Sequence, residues 1–347
     1  GFDYKTFLID LYTEQIGGFY DPKTRELKLI KGTPLTGLDQ QLLISHELTH
    51  ALQDQRYDLN KFLNSDSGND DRSLAQMALI EGDATVSASE YIQSRASAKP
   101  LQGLLEVLGS AFNAARQIPG FEKFRSAPAF IRDSLIFPYD QGAQFVNAFR
   151  QQGWSWEDLD VVYTNPPQAT EHILHPDSYL DGENPTELTL SQQPLLTGSK
   201  LLTGSVWGEL GYRQFLAHHL GGKPAKEAAA GWRGDRYEVL ETPSGIVFVM
   251  YSLWDSEAEA RGFFSAWRSS LAKRDPKAAP MPATGGTLPW GPDQKRLIWA
   301  EAKGNAVAIV ENLAPEQASL IPTLRAAWQQ ELTELKAKPN QPLKRSR

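Results

Sequence analysis

The chain has no cysteine, so disulfides, thiolate metal sites and a cysteine nucleophile are all excluded, and any metal must be held by histidine and carboxylate. Long apolar runs are also missing. The longest such stretch, about Gly245 to Trp254, falls well short of the roughly 18 consecutive residues that a membrane span needs, so no membrane span is expected. Basic charge is scarce: 35 Lys and Arg against 42 Asp and Glu leave a net charge of -7, which argues against a nucleic-acid partner or an anionic membrane surface. The exception is 336–347, where Lys and Arg gather around two Pro and read as a disordered basic tail. No basic-then-apolar leader opens the chain at Gly1. The expectation is an exported bacterial protein, periplasmic or extracellular, with its signal removed; a cytoplasmic location is the alternative. Neither an internal repeat nor a Gly-rich phosphate loop is present.

Histidine is scarce too, six in 347 residues, and that makes one stretch informative. Ser45-His46-Glu47-Leu48-Thr49-His50 places two histidines four apart, on one face of a helix with 3.6 residues per turn, where both reach one metal ion. Glu47 beside them completes the His-Glu-x-x-His pattern of zinc hydrolases, in which the glutamate is the general base. By chance that pattern arises in such a chain on the order of one time in a hundred. Asp39, with Thr36 as an alternative, is placed to cap this helix, and Leu42, Leu43, Ile44, Leu48, Ala51 and Leu52 surround it with apolar surface, so it reads as largely buried. Burying polar side chains without partners costs roughly 1 to 3 kcal/mol per group, which a bound metal offsets.

A second helix, about Ser73 to Ala96, carries Ala78-Leu79-Ile80-Glu81-Gly82-Asp83-Ala84. Glu81, flanked by apolar residues, is the third metal ligand in this reading, and Gly82 next to it lets two helices approach closely at the metal. Asp83 points about 200° away from Glu81 on an ideal helix, which makes it a supporting or structural acid rather than a ligand. Asp54, one turn after His50, either holds a histidine ring or is a solvated carboxylate. Upstream, Glu14 to Lys31 reads as a β-hairpin around Asp21-Pro22. Beside a metal helix such a strand can bind an extended peptide, with Gly17, Gly18, Phe19 and Tyr20 as the binding residues, or it simply closes the core.

From Lys99 to Pro176 the pattern stays helical, with segments at Leu101 to Gln117, Pro128 to Ile136, Asp140 to Gln152 and Trp156 to Tyr163. His172, His175 and Tyr179 follow; a donor to a tetrahedral oxyanion is needed opposite the metal, and His172 or His175, with His175 preferred, or Tyr179 can supply it, or the histidines are caps or core. Beyond Gly182 the order becomes ββαββα: strands near Arg236 to Glu241 and Ile246 to Trp254, helix Ser256 to Lys273, a Pro/Gly-rich loop from Asp275 to Gly291, strands near Arg296 to Ala302 and Ala306 to Glu311, and helix Pro315 to Leu335. This predicts an antiparallel sheet covered by two helices on one face. The fold class is therefore α+β: a mainly helical domain with a small hairpin over 1–184, an α/β accessory domain over 185–335, and the tail.

With His46, Glu47 and His50 followed by Glu81 in a second helix, the chain resembles the gluzincin metallopeptidases, the thermolysin-like class. The runs GGFYDP, SHELTHALQDQ, LIEGDAT, PPQATEHILHP and GWRGDRYEV resemble a group of uncharacterised bacterial metallopeptidase-like proteins, over about Gly17 to Trp267. The resemblance implies a zincin-like first domain, one catalytic Zn²⁺ on His46, His50 and Glu81, Glu47 as base and a polypeptide substrate. One departure is visible: the thermolysin pattern has an acid four residues after the ligand glutamate, where this chain has Thr85. Two other readings compete: a catalytically inert, zinc-stabilised binding or chaperone-like module, and a zinc hydrolase acting on a non-peptide amide or ester.

Overall fold

The computed structural model describes residues 6–7, 9–11, 18–29, 37–63, 68–95, 122–189, 195–196, 198–335 and 342–343. Gly17, the predicted helix Leu101 to Gln117, and the tail apart from Pro342 and Leu343 lie outside the described residues.

The fold is α+β. Strands β1 (Gly18–Asp21) and β2 (Glu26–Leu29) form the predicted antiparallel hairpin. Asp21 shapes its turn by accepting the Lys23 N–H at 3.0 Å, while Arg25 takes up a left-handed conformation. Three long helices follow, α1 (Leu38–Tyr57), α2 (Asp70–Arg95) and α3 (Ala129–Gln151), with α2 packed against both of the others. Gly37 precedes α1 and no side chain caps it; Asp39 sits inside the first turn. The two helices expected on either side of Phe137-Pro138 are one. Pro138 is buried within α3, where the lost backbone bond, worth about 3 kcal/mol, is outweighed by burial of Ile131, Phe137, Phe145, Val146 and Phe149.

Gly82 has a steric role, but against α3 rather than at the motif helix. A Cβ built on it would stand 2.2 Å from the carbonyl carbon of Gly142, and one on Gly142 would stand 2.0 Å from the Ala78 oxygen. Two glycines thus let α2 and α3 cross in backbone contact.

The second half is a six-stranded antiparallel sheet in the order β3-β4-β5-β8-β7-β6, from β3 (Lys200–Ser205), β4 (Trp232–Thr242), β5 (Gly245–Trp254), β6 (Gly285–Trp290), β7 (Arg296–Lys303) and β8 (Ala306–Leu313). Strands β3 and β6 were not expected; β6 lies inside the Pro/Gly-rich run read as a loop. Helices cover both faces, not one. Met250, Ile298, Ala300, Val307 and Ile309 pack under α4 (Gly208–Leu220), α5 (Gly222–Ala229) and α6 (Glu257–Arg274). Val249, Tyr251, Trp299, Ala308 and Val310 pack under α7 (Ile321–Glu334), with Leu324 and Trp328. The cause is visible in the strands themselves: Ala306 to Val310 is apolar at every position, so neither face tolerates water.

Polar contacts join the halves: Ser205 Oγ accepts the Asp70 N–H at 2.8 Å, and Thr170 Oγ1 accepts the Leu210 N–H at 3.2 Å. Thr170 is itself held by the buried Asp71 on α2, which accepts its N–H at 3.0 Å and its hydroxyl at 2.5 Å. No helix among the described residues is long and apolar enough to cross a membrane.

Candidate metal centre

The motif helix does not bury the side that its leucines suggested. Leu48 is 50% exposed and Leu52 64%, while the buried residues of α1 are Glu47, Gln53 and Asp54. Both leucines lie about half a turn round from the histidines, and α2 covers the histidine side. The buried face of α1 is therefore polar, and its groups need partners.

They find them on α2 and β1. His46 Nε2 lies 3.1 Å from Glu81 Oε2, His50 Nε2 lies 3.4 Å from the same oxygen, and the two Nε2 atoms are 3.1 Å apart. Three donors on a tetrahedral ion, each about 2.0 to 2.1 Å from it, stand about 3.3 Å from one another. The triangle matches that spacing, and among the described residues it is the one group of His and acid side chains able to hold a metal ion. The side chains of His46, His50 and Glu81 keep 15, 12 and 14% of their surface exposed, so solvent reaches the triangle. Burial works against the charged His50 ring, but the Glu81 carboxylate beside it prevails and raises that ring to about 9. Burial likewise opposes the Glu81 charge, and the two imidazoles override it, bringing the carboxyl to about 2.

Behind the triangle stands a residue that sequence reasoning missed. Gln53 Oε1 is 2.8 Å from His50 Nδ1, and Gln53 Nε2 donates to the Ile80 carbonyl at 3.0 Å and to Asp83 Oδ2 at 2.8 Å, with the Tyr163 hydroxyl also 3.0 Å away. Tyr163 in turn donates to Asp83 at 2.6 Å. Asp83 thus touches the amide that touches the histidine. Asp54 holds no histidine ring: it accepts the Tyr20 hydroxyl at 2.9 Å and the Leu59 N–H at 3.0 Å, tying the hairpin to the end of α1. Gln53 is three residues after His50, a helical neighbour position, and that spacing is the signal that pointed to it.

Glu47 lies beside the triangle with its carboxyl raised above the ordinary value by burial, against the pull of both histidines. The Tyr20 N–H donates to its Oε2 at 2.8 Å. That bond turns the outer edge of β1 toward α1, so the predicted peptide-binding edge already has one amide engaged. Gly18 allows close approach, but to its own hairpin: an added Cβ would meet Leu29 Cδ2 at 2.7 Å. Phe19 is exposed on the opposite side, with Lys28 over its ring.

The residues proposed to face the metal from 170–180 are engaged elsewhere. His175 Nε2 bonds the fully buried Glu209 at 3.0 Å, with Arg213 on the same carboxylate, and the buried Tyr179 donates to the Asn165 carbonyl at 2.7 Å. His172 is buried between the Gln168 N–H and the Glu183 carbonyl, and burial pushes its ring down to about 4. Among the described residues no hydrogen bond or ring contact joins His175 or Tyr179 to the triangle. The ring that does lie there is Tyr139 on α3, its centroid 6.1 Å from that of His46. It sits directly after Phe137-Pro138, which reads as a helix break, and only the uninterrupted α3 carries it to the site.

Residues 199–322 match a family described as a domain of unknown function, DUF8575. The match covers the sheet and α4 to α6, not α1 and α2. No curated protein and no solved structure matches the chain.

Proposed function

We propose that the chain is a zinc-dependent metallopeptidase, with His46, His50 and Glu81 holding one Zn²⁺ and Glu47 acting as general base. The observation that carries this reading is the triangle of 3.1, 3.1 and 3.4 Å between two imidazole nitrogens and a carboxylate oxygen, with a glutamate next to the first histidine. Two neutral nitrogens and one carboxylate suit Zn²⁺ and leave a position for a water or a substrate carbonyl. When bound, zinc supplies Lewis acidity, which polarises a carbonyl and makes water nucleophilic near neutral pH.

The protein's own groups do the rest. The Tyr20 amide fixes one oxygen of Glu47, leaving the other to take a proton from water and return it to the leaving amine. Burial raises the basicity of that carboxylate, which suits proton transfer near neutrality. The Tyr139 ring on α3, its centroid 6.1 Å from that of His46, supports Tyr139 as the donor to the developing oxyanion in this reading, in place of His175 or Tyr179. Support for a peptide over other amides comes from the hairpin, whose outer edge lies against Glu47. The resemblance to gluzincins points the same way.

The second reading, a zinc-stabilised module whose sheet half does the work, draws on the family match at 199–322, which leaves out the triangle. Purified protein incubated with unfolded casein, with and without a chelator, separates the two. Chelator-sensitive cleavage that Glu47→Gln abolishes supports the peptidase; bound zinc without cleavage of casein or of a simple ester supports the module.

A further inference from the structure

Resting on the reading of His46, His50 and Glu81 as a metal site, we infer that Gln53 is a positioning residue that fixes which nitrogen of His50 faces the metal, and that Asp83 and Tyr163 lock Gln53 in the orientation this requires. The argument turns on which atoms can donate. Gln53 Oε1 accepts only, so the His50 Nδ1 that stands 2.8 Å from it must carry a hydrogen. The lone pair of the neutral ring is then on Nε2, the atom that points at His46 and Glu81.

The amide is not free to turn over. Its Nε2 faces the Ile80 carbonyl, which is an acceptor under all conditions, together with Asp83 Oδ2 and the Tyr163 oxygen, at 3.0, 2.8 and 3.0 Å. Reversing it would set an oxygen against all three and an NH₂ against His50 Nδ1. Tyr163 strengthens the lock because its own hydrogen goes to Asp83 at 2.6 Å, leaving its oxygen as an acceptor for the amide. Gln53, Asp83 and Tyr163 are 3, 7 and 5% exposed, so water does not stand in for any of them. The relay ends in a neutral amide where a carboxylate is the commoner partner of a metal-bound histidine. It also accounts for Thr85 in place of an acid: the orienting carboxylate is Asp83, acting through Gln53.

The test uses the full chain. Isotope-edited NMR reads the His50 Nδ1 proton directly, in the zinc-loaded protein and, for the metal-free protein, above about pH 9 where the ring is neutral, and competition of Zn²⁺ against a chromophoric chelator reads affinity. A slowly exchanging His50 Nδ1–H is expected in the wild type and lost in Gln53→Leu, together with a 10- to 100-fold weaker zinc affinity. Tyr163→Phe keeps the ring packing and should cost a smaller factor, with the Nδ1 proton retained but exchanging faster. Unfolding midpoints of the apo-proteins separate a lost contact from a lost fold. If Gln53→Leu binds zinc within twofold of the wild type, or keeps the protected proton, the assignment is wrong. If the wild type binds no zinc, the metal reading fails instead, and the NMR result alone decides the role of Gln53.

Discussion

Gly82→Ala sets two opposed effects against each other at a point where the structure decides which wins. In an exposed helix interior, replacing glycine by alanine stabilises by about 1 kcal/mol, because alanine loses less backbone entropy on folding. At Gly82 the new Cβ would lie 2.2 Å from the Gly142 carbonyl carbon and 2.3 Å from its oxygen, against 3.4 Å for ordinary contact. Both neighbours are backbone atoms, so no rotamer change relieves the clash; α2 and α3 must part by more than 1 Å. Overpacking of that kind costs about 1 to 3 kcal/mol, and here the upper end applies. The net expectation is a loss of about 2 kcal/mol, or roughly 4 to 8 °C in melting temperature. Glu81 is the adjacent residue, so zinc affinity should fall with it. Gly262→Ala in α6, where nothing lies within 4 Å of the new Cβ, is the control and should stabilise slightly. Urea unfolding of the three proteins, with zinc binding measured on each, is the assay. A Gly82→Ala variant as stable as Gly262→Ala would refute the crossing geometry and, with it, the placement of Glu81.

Glu47→Gln should keep its zinc by elemental analysis while cleavage of unfolded casein falls by about 10² to 10⁴, the usual contribution of a general base; undiminished cleavage removes Glu47 from the mechanism. Glu81→Ala should lose the metal and, with it, the stabilisation zinc confers on the folded state, about 2.7 kcal/mol when free zinc is a hundred times its dissociation constant; equal melting shifts on adding zinc to variant and wild type would contradict this. Asp71 concerns pH. Burial raises its carboxyl to about 8 from an ordinary 3.8, so the folded state holds the proton more tightly than the unfolded one. Its contribution to stability is complete below about pH 4 and is lost as pH rises towards 8. Urea unfolding between pH 5 and 8 should show stability falling with pH less steeply in Asp71→Asn than in the wild type; parallel slopes would exclude Asp71 as the source.

Some of this was legible in the residues because it depends on short-range geometry. That His46 and His50 share a face follows from helical period alone, with Glu47 beside them, and the hairpin around Asp21-Pro22 is a local turn with local hydrogen bonds. Glu81 was readable for a related reason: an acid amid apolar neighbours in a buried helix needs a compensating partner. Strands β5 and β8 announced themselves by unbroken apolar runs, Ile246 to Tyr251 and Ala306 to Val310, although such runs also indicate a sheet with two covered faces rather than the one expected.

What only the tertiary structure decided are the choices a side chain makes among distant partners. His175 is equally suited, as a residue type, to an oxyanion or to a buried acid; the chain path past α4 gives it Glu209. Tyr139 reaches His46 because α3 continues through Pro138, an outcome set by packing against α2 rather than by the propensity of Phe-Pro-Tyr. Asp54 and Asp83 are both acids near the histidines, and their separate attachments, one to the hairpin and one to Gln53, depend on where β1 and α2 lie in space. Period determines which residues share a face; the depth, angle and spacing of the elements determine which of them touch.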